Sequence, residues 1–288
     1  MLRMNSLRSI TAWLVLLSIG SLPLFHALSM GTEKTDAASK RAYLGFDRNL
    51  FPGKAALPVL RKTFTFSGFW LSPPPGEKTN TWLRQRELLR AQGFGFLLLY
   101  RGPQTRDLKN EGAARGTADA RDAAKAANSE GFPPQSIIFL DIEEGGRLPA
   151  TYHAYLRAWA RGLSEAGYRS GAYCSGIPVT EEPSVTITTI DDIRAHAPSQ
   201  DFVFYIFNDV CPPSPGCTFP QDPPSPAAGG VPDARVWQFA QSPRRMERTV
   251  QCPPGYHTDG NCYAPGDTAH TWFLDVNSAS SPDPSNGR

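Results

Sequence analysis

Eight short apolar runs, helical stretches between the early ones and a late half dense in Pro and Gly together predict an α/β protein. The runs fall at 42–47, 66–70, 95–100, 136–141, 169–174, 202–207, 235–239 and 271–275. Several are apolar almost throughout instead of alternating, which is how a strand reads when a parallel sheet buries both its faces. Residues 80–92 set Trp82, Leu83, Leu88 and Leu89 at amphipathic spacing and stop at Gly93, so a helix is expected there. The alanine-rich stretch 117–128 ends before Gly131, and the next helical stretch, 152–166, ends at Gly167. Strand, helix, Gly, strand is the rhythm of repeated βαβ units, and it is clearest over 64–174. Later the rhythm changes, because 208–233 is rich in Pro and Gly and no helix fits between Phe239 and Thr271. Eight strands closing on themselves make a single (β/α)8-type TIM barrel whose late helices are missing or replaced by loops. An open doubly wound sheet is the alternative.

A chain of 288 residues with 40% hydrophobic content can bury the core of one large domain. Its 29 basic and 27 acidic residues leave a net charge of +2. That balance supplies no electrostatic ground for nucleic acid or an anionic membrane surface as partner. At the N-terminus Arg3 and Arg8 precede an apolar stretch that ends in small residues at 27–29, the pattern of a signal peptide over 1–29. A linker at 30–40, a barrel domain at 41–278 and a disordered polar tail at 279–288 follow. The expected location is secreted or periplasmic, with no membrane contact after cleavage. An uncleaved anchor is the alternative, since 10–28 approaches the roughly 20 residues that cross a bilayer, although Pro23 and His26 interrupt it.

Cysteine usage agrees with export. Cys211 and Cys217 bracket one loop and Cys252 and Cys262 another, and each pair is expected to close its loop as a disulfide. Cys174 is left over as a buried thiol. Zinc at His257 among these cysteines is disfavoured, because both pairs are spaced more widely than zinc ligands usually are.

The chemistry-bearing stretch is IIFLDIEEGG at 137–146, where an apolar strand runs into Asp141, Glu143 and Glu144. At the C-terminal end of a barrel strand, the edge where such barrels carry their sites, alternation sends Asp141 and Glu143 into one space and Ile142 away from it. Two neighbouring carboxylates at an apolar mouth push the pKa of at least one upward. A protonated acid beside an ionised one is what breaking a glycosidic bond requires. Asp47 and Asp275 end the first and last runs, which are neighbours in a closed barrel, so three runs deliver acids to one rim. The aromatics Trp70, Tyr100, Tyr173, Trp237 and Trp272 offer faces for a sugar ring, and Gln238 beside Trp237 can hydrogen-bond hydroxyls.

These residues resemble a known family. GFDRN at 45–49, FLDIEEGG at 139–146, GAYCSG at 171–176, VWQFA at 236–240 and FLDVN at 273–277 look like the bacterial secreted glycoside-hydrolase-like family once catalogued as a domain of unknown function. That family is itself similar to the Chalaropsis-type lysozymes of glycoside hydrolase family 25. The resemblance covers nearly all of 42–277 and implies an incomplete barrel that cleaves the glycan of peptidoglycan. It implies Glu143 as general acid and Asp141 as the carboxylate that assists the acetamido group or stabilises the intermediate. Asp47 and Asp275 resemble accessory acids, and Trp237 and Gln238 the family's Trp-Gln pair. The expected function is an exported glycoside hydrolase acting as a monomer on peptidoglycan or another cell-envelope polysaccharide, with no cofactor and no metal. A non-catalytic glycan-binding envelope protein is the alternative. A hydrolase using Ca²⁺ or Mg²⁺ is a third reading, with no two histidines at ligand spacing in the sequence.

Overall fold

The first five apolar runs become β1 (Tyr43–Asp47), β2 (Phe66–Trp70), β3 (Gly95–Arg101), β4 (Ile137–Asp141) and β5 (Arg169–Ser175). A hairpin of β6 (Val179–Glu182) and β7 (Val185–Ile187) follows, and then β8 (Val203–Phe207), β9 (Val236–Ala240) and β10 (Asp275–Ala279). The structure is a computed structural model, and it describes residues 41–209, 219, 222–242 and 262–288, all within the compact unit Ser39–Arg288. Eight strands close into a barrel in the order β1-β10-β9-β8-β5-β4-β3-β2, and the hairpin stands apart from it.

The helices are α1 (Leu57–Leu60), α2 (Arg86–Ala91), α3 (Thr105–Leu108), α4 (Gly112–Glu130), α5 (Ala150–Glu165) and α6 (Thr189–His196). The expected helix at 80–92 shortens to α2. α4 ends on Gly131 in the left-handed conformation, φ 80°, which a residue without a side chain adopts freely. α4 and α5 pack tightly because a Cβ on Gly162 would come within 2.8 Å of the Ala120 Cβ. Between β8 and β9 the described residues hold one short 3-10 turn, Pro226–Gly229, in place of a helix.

Two expectations are corrected. The run at 271–275 is not the last strand; β10 begins at Asp275 and runs antiparallel to both β1 and β9. Parallel neighbours need a crossover that returns the chain to the far end of the barrel, whereas a reversed strand needs none. The polar tail is also ordered. Phe96 N donates to Asp283 Oδ1 at 2.8 Å, Leu98 N to Ser285 Oγ at 2.8 Å and Ile137 N to the Ser285 carbonyl at 2.8 Å, so residues 283–285 cap the entry ends of β3 and β4. Backbone donors at an uncovered barrel floor would otherwise want partners, and the tail's polar residues supply them.

The signal peptide at 1–29, the linker at 30–40 and Cys211, Cys217 and Cys252 lie outside the described residues, so both expected disulfide pairings do as well; Cys262 is buried. Cys174 is free and buried as expected, and burial pushes its thiol up. No helix among the described residues is long and apolar enough to cross a membrane.

Candidate active site

An eight-stranded barrel is just wide enough for side chains to fill, so a charged group inside it needs partners. Asp47, the last residue of β1, is buried at the inner rim and has three. Its Oδ2 accepts from Asn277 Nδ2 at 2.8 Å and Gln238 Nε2 at 3.2 Å, and Tyr205 Oη lies 2.9 Å away. Tyr205 Oη also lies 2.9 Å from Asn277 Oδ1, and its single proton serves one acceptor at a time. The network extends outward: Gln238 Nε2 donates to Tyr205 Oη at 3.0 Å, Tyr173 Oη to Gln238 Oε1 at 2.7 Å and Gln241 Nε2 to Tyr173 Oη at 3.2 Å. Burial raises the Asp47 carboxyl above the usual aspartate range, and the three hydrogen bonds pull it partly back.

Asp141 ends β4 on the same inner face and is also buried. The ladder continues past it: Gly102 N donates to the Asp141 carbonyl at 3.1 Å and Ile142 N to the Tyr173 carbonyl at 2.9 Å. Extended backbone is therefore kept for one more residue. Ile142 is buried on the outside and Glu143 returns to the mouth, where it is exposed. Burial holds Asp141 well above the usual carboxylate range; Glu143 and then Asp47 push it further, and Arg101, its register partner on β3, opposes them.

Asp275 faces Asp47 directly as its register partner across β1 and β10, and its Oδ1 accepts from Ser242 N at 2.6 Å. The reversal of β10 is what puts its first residue on the rim where β1 ends. Glu144, by contrast, is a strut. Its Oε1 accepts from Thr105 N at 2.5 Å and its carbonyl from Thr189 Oγ1 at 3.4 Å, tying the loop after β4 to α3 and α6.

The mouth is a chain of three adjoining depressions. The central one, about 160 Å³, is lined by Asp47, Asn49, Trp70, Pro75, Leu99, Asp141, Glu143, Tyr173, Tyr205, Gln238, Gln241 and Asp275. A second, about 120 Å³, shares Pro75, Asp141 and Glu143 with it and adds Arg101 and Glu144. A third, about 240 Å³, shares Asn49 and Asp275 and adds Arg48, Leu50, Glu77, Ser242 and Phe273. The carboxylates Asp141 and Glu143 thus stand at the boundary between two lobes of one cleft.

Of the residues singled out from sequence, Asp47, Asp141, Glu143, Asp275, Trp70, Tyr173 and Gln238 line the central depression. Tyr100, Trp237 and Trp272 do not. Tyr100 packs outside the barrel against Trp159 of α5, ring centroids 5.2 Å apart. Trp237 donates Nε1 to the Asn208 carbonyl at 3.0 Å, also outside, because neighbours on a strand point to opposite sides and Gln238 takes the inner one. Trp272 is held by its backbone N donating to Asp267 Oδ2 at 2.6 Å. Tyr205 and Asn277 were missed. The signal was there: both are polar residues on strand positions two removed from inward-facing neighbours, Tyr205 between Val203 and Phe207, Asn277 two after Asp275.

Comparison with known proteins bears on this geometry. Residues 67–205 match the family described as the Rv2525c-like, glycoside hydrolase-like domain. The matched span holds Asp141, Glu143 and Tyr205, while Asp47, Gln238, Asp275 and Asn277 lie beyond it. Among solved structures, an uncharacterized B. stearothermophilus protein superposes with a TM-score of 0.55 at 21% identity, covering 82% of this chain and 95% of that one. The Mycobacterium tuberculosis Tat-secreted protein Rv2525c, solved with L-tartrate, gives 0.51 at 15% identity over 85% of this chain and 97% of that one. The Clostridium perfringens spore cortex lytic enzyme SleM stands lower, at 0.48 and 15% identity, over 83% and 68%. No curated protein matches the chain. The first two likenesses show a shared fold, and a fold by itself does not name a reaction.

Proposed function

We propose that the chain is an exported glycoside hydrolase acting on peptidoglycan or another cell-envelope polysaccharide. The observation that carries this reading is the placement of Asp141 and Glu143 between two lobes of one open cleft. A glycan laid across both lobes puts a bond between two sugars beside the carboxylate pair. Export rests on the N-terminal sequence alone, Arg3 and Arg8 ahead of an apolar stretch.

In this reading Glu143 gives a proton to the bridging oxygen as the bond to the leaving sugar breaks. Asp141, behind it, steadies the positive charge that grows on the anomeric carbon or accepts the N–H of a neighbouring acetamido group. Water then adds to the sugar, and its proton returns to the carboxylate pair. Burial favours the pair's proton on Asp141 before substrate arrives. A sugar covering the exposed Glu143 strips water from it and favours moving that proton outward, to the group that donates it. Trp70 and Tyr173 in the central lobe, and exposed Leu50 and Phe273 in the third, present apolar faces to sugar rings.

The test is release of reducing ends from purified peptidoglycan by wild type and Glu143→Gln. Cleavage by wild type, reduced by about 10²–10⁴-fold in the variant, is the expected result. Binding of glycan by wild type with no new reducing ends would favour the non-catalytic envelope protein instead.

A further inference from the structure

His153 on α5 meets Asp192 and His196, which stand four residues apart on α6, a meeting that no sequence spacing announces. His153 Nε2 lies 2.7 Å from Asp192 Oδ2, and His196 Nδ1 lies 3.1 Å from Asp192 Oδ1. One nitrogen or oxygen from each of the three falls within 4.8 Å of the others. The two imidazoles stack with centroids 3.9 Å apart. Asp192 is wholly buried. Its Oδ2 also accepts from Leu148 N at 2.9 Å, but its Oδ1 makes no hydrogen bond. An anionic oxygen sealed from water without a donor is costly unless something cationic reaches it.

We propose that His153, Asp192 and His196 bind a divalent transition-metal ion, zinc being the ion their donor atoms suit. Two imidazole nitrogens and a carboxylate oxygen are a borderline-soft set that favours zinc over calcium or magnesium, and three protein ligands leave one position for water. The side chain of His196, 40% exposed, gives that position a route to solvent. A tetrahedral ion with bonds of about 2.0–2.1 Å holds its ligand atoms about 3.3 Å apart, so the 2.7 Å contact must open slightly. His196, at the end of α6, is the ligand with room to adjust. To ligate, each imidazole must give up a contact it makes here, His153 Nε2 to Asp192 Oδ2 at 2.7 Å and His196 Nδ1 to the Asp192 carbonyl at 2.9 Å, and carry its ring proton on the other nitrogen. Nearby cations do not forbid this: Arg147 Nη1 is 3.9 Å from Asp192 Oδ1, yet its guanidinium is already paired with Glu181 at 2.9 Å, and Arg157 is occupied by the His196 carbonyl. Because Asp192 also holds Leu148 N, the ion would tie α5 and α6 to the loop that carries Glu143. The site does not depend on the hydrolase reading.

Isothermal titration of the full chain with zinc chloride under non-reducing conditions tests the proposal beside His196→Ala and Asp192→Asn. His196→Ala removes a half-exposed ring and should leave the fold intact. One zinc per chain is expected, with affinity lost by more than about 100-fold in His196→Ala, since even outer-shell partners cost 10–100-fold. Cobalt substitution should give the visible absorption of a tetrahedral nitrogen and oxygen site in wild type and not in that variant. Absence of saturable zinc binding would overturn the proposal. So would binding unchanged in His196→Ala, which would move the ion elsewhere, for instance to His257 among the cysteines.

Discussion

Gly68 on β2 lies so close to Asp47 on β1 that a Cβ on Gly68 would overlap the Cβ of Asp47. The two face the same interior space from adjacent strands, and the missing side chain of one makes room for the carboxylate of the other. Gly68→Ala should push Asp47 off Asn277, Gln238 and Tyr205 and destabilise the fold by about 1–3 kcal/mol through overpacking. For a domain of this size that lowers the melting temperature by about 2–4 °C per kcal/mol, readable by calorimetry. A wild-type melting temperature would mean that β2 gives way without disturbing the acid.

Burial raises Asp141 in the folded chain, so between about pH 4 and its folded pKa the folded state binds more protons than the unfolded one. Its contribution therefore makes stability fall as pH rises through that window and level off above it. Asp141→Asn removes the contribution. The variant should melt above wild type at pH 7 and converge with it below about pH 4. A variant less stable than wild type at pH 7 would show that Asp141 is held as a favoured anion.

The tail predicts a large cost of truncation. Removing residues 282–288 leaves the backbone N–H groups of Phe96, Leu98 and Ile137 without the acceptors at Asp283 and Ser285. Each buried donor left unpaired costs about 1–3 kcal/mol, so the shortened chain should lose several kcal/mol or fail to fold. Urea unfolding compares the two; an unshifted midpoint would show that water replaces the tail at the barrel floor.

Glu144 and Glu143 should separate cleanly. Glu144 Oε1 accepts from Thr105 N, a bond the side-chain oxygen of glutamine can also accept. Glu144→Gln is expected to keep glycan cleavage within a few-fold of wild type and to lose about 1 kcal/mol of stability at most, while Glu143→Gln loses cleavage and keeps stability. Equal loss of cleavage in both would give Glu144 a part in the chemistry.

Most strands were legible because their signal is local. The run FLLLY in β3 or IIFLD in β4 must be buried on both faces wherever it lies, and alternation past Asp141 brings Glu143 to its side of the sheet. The rim acids were legible for the same reason. The direction of β10 was not, since composition is blind to which way a strand enters a sheet.

The sequence by itself determined an α/β chain of buried strands with carboxylates at their ends, because burial and period-two alternation act within a few residues, while closure into a barrel was seen in the structure. Only the tertiary structure decided that β10 reverses, so that Asp275 meets Asp47, that Trp237 faces out where Gln238 faces in, and that Tyr205 and Asn277 complete the Asp47 cradle. It alone joined His153 to Asp192 and laid Ser285 against β3 and β4. Those contacts link residues from 29 to 230 positions apart, and their energies depend on where closure of the barrel carries each strand, which no local pattern encodes.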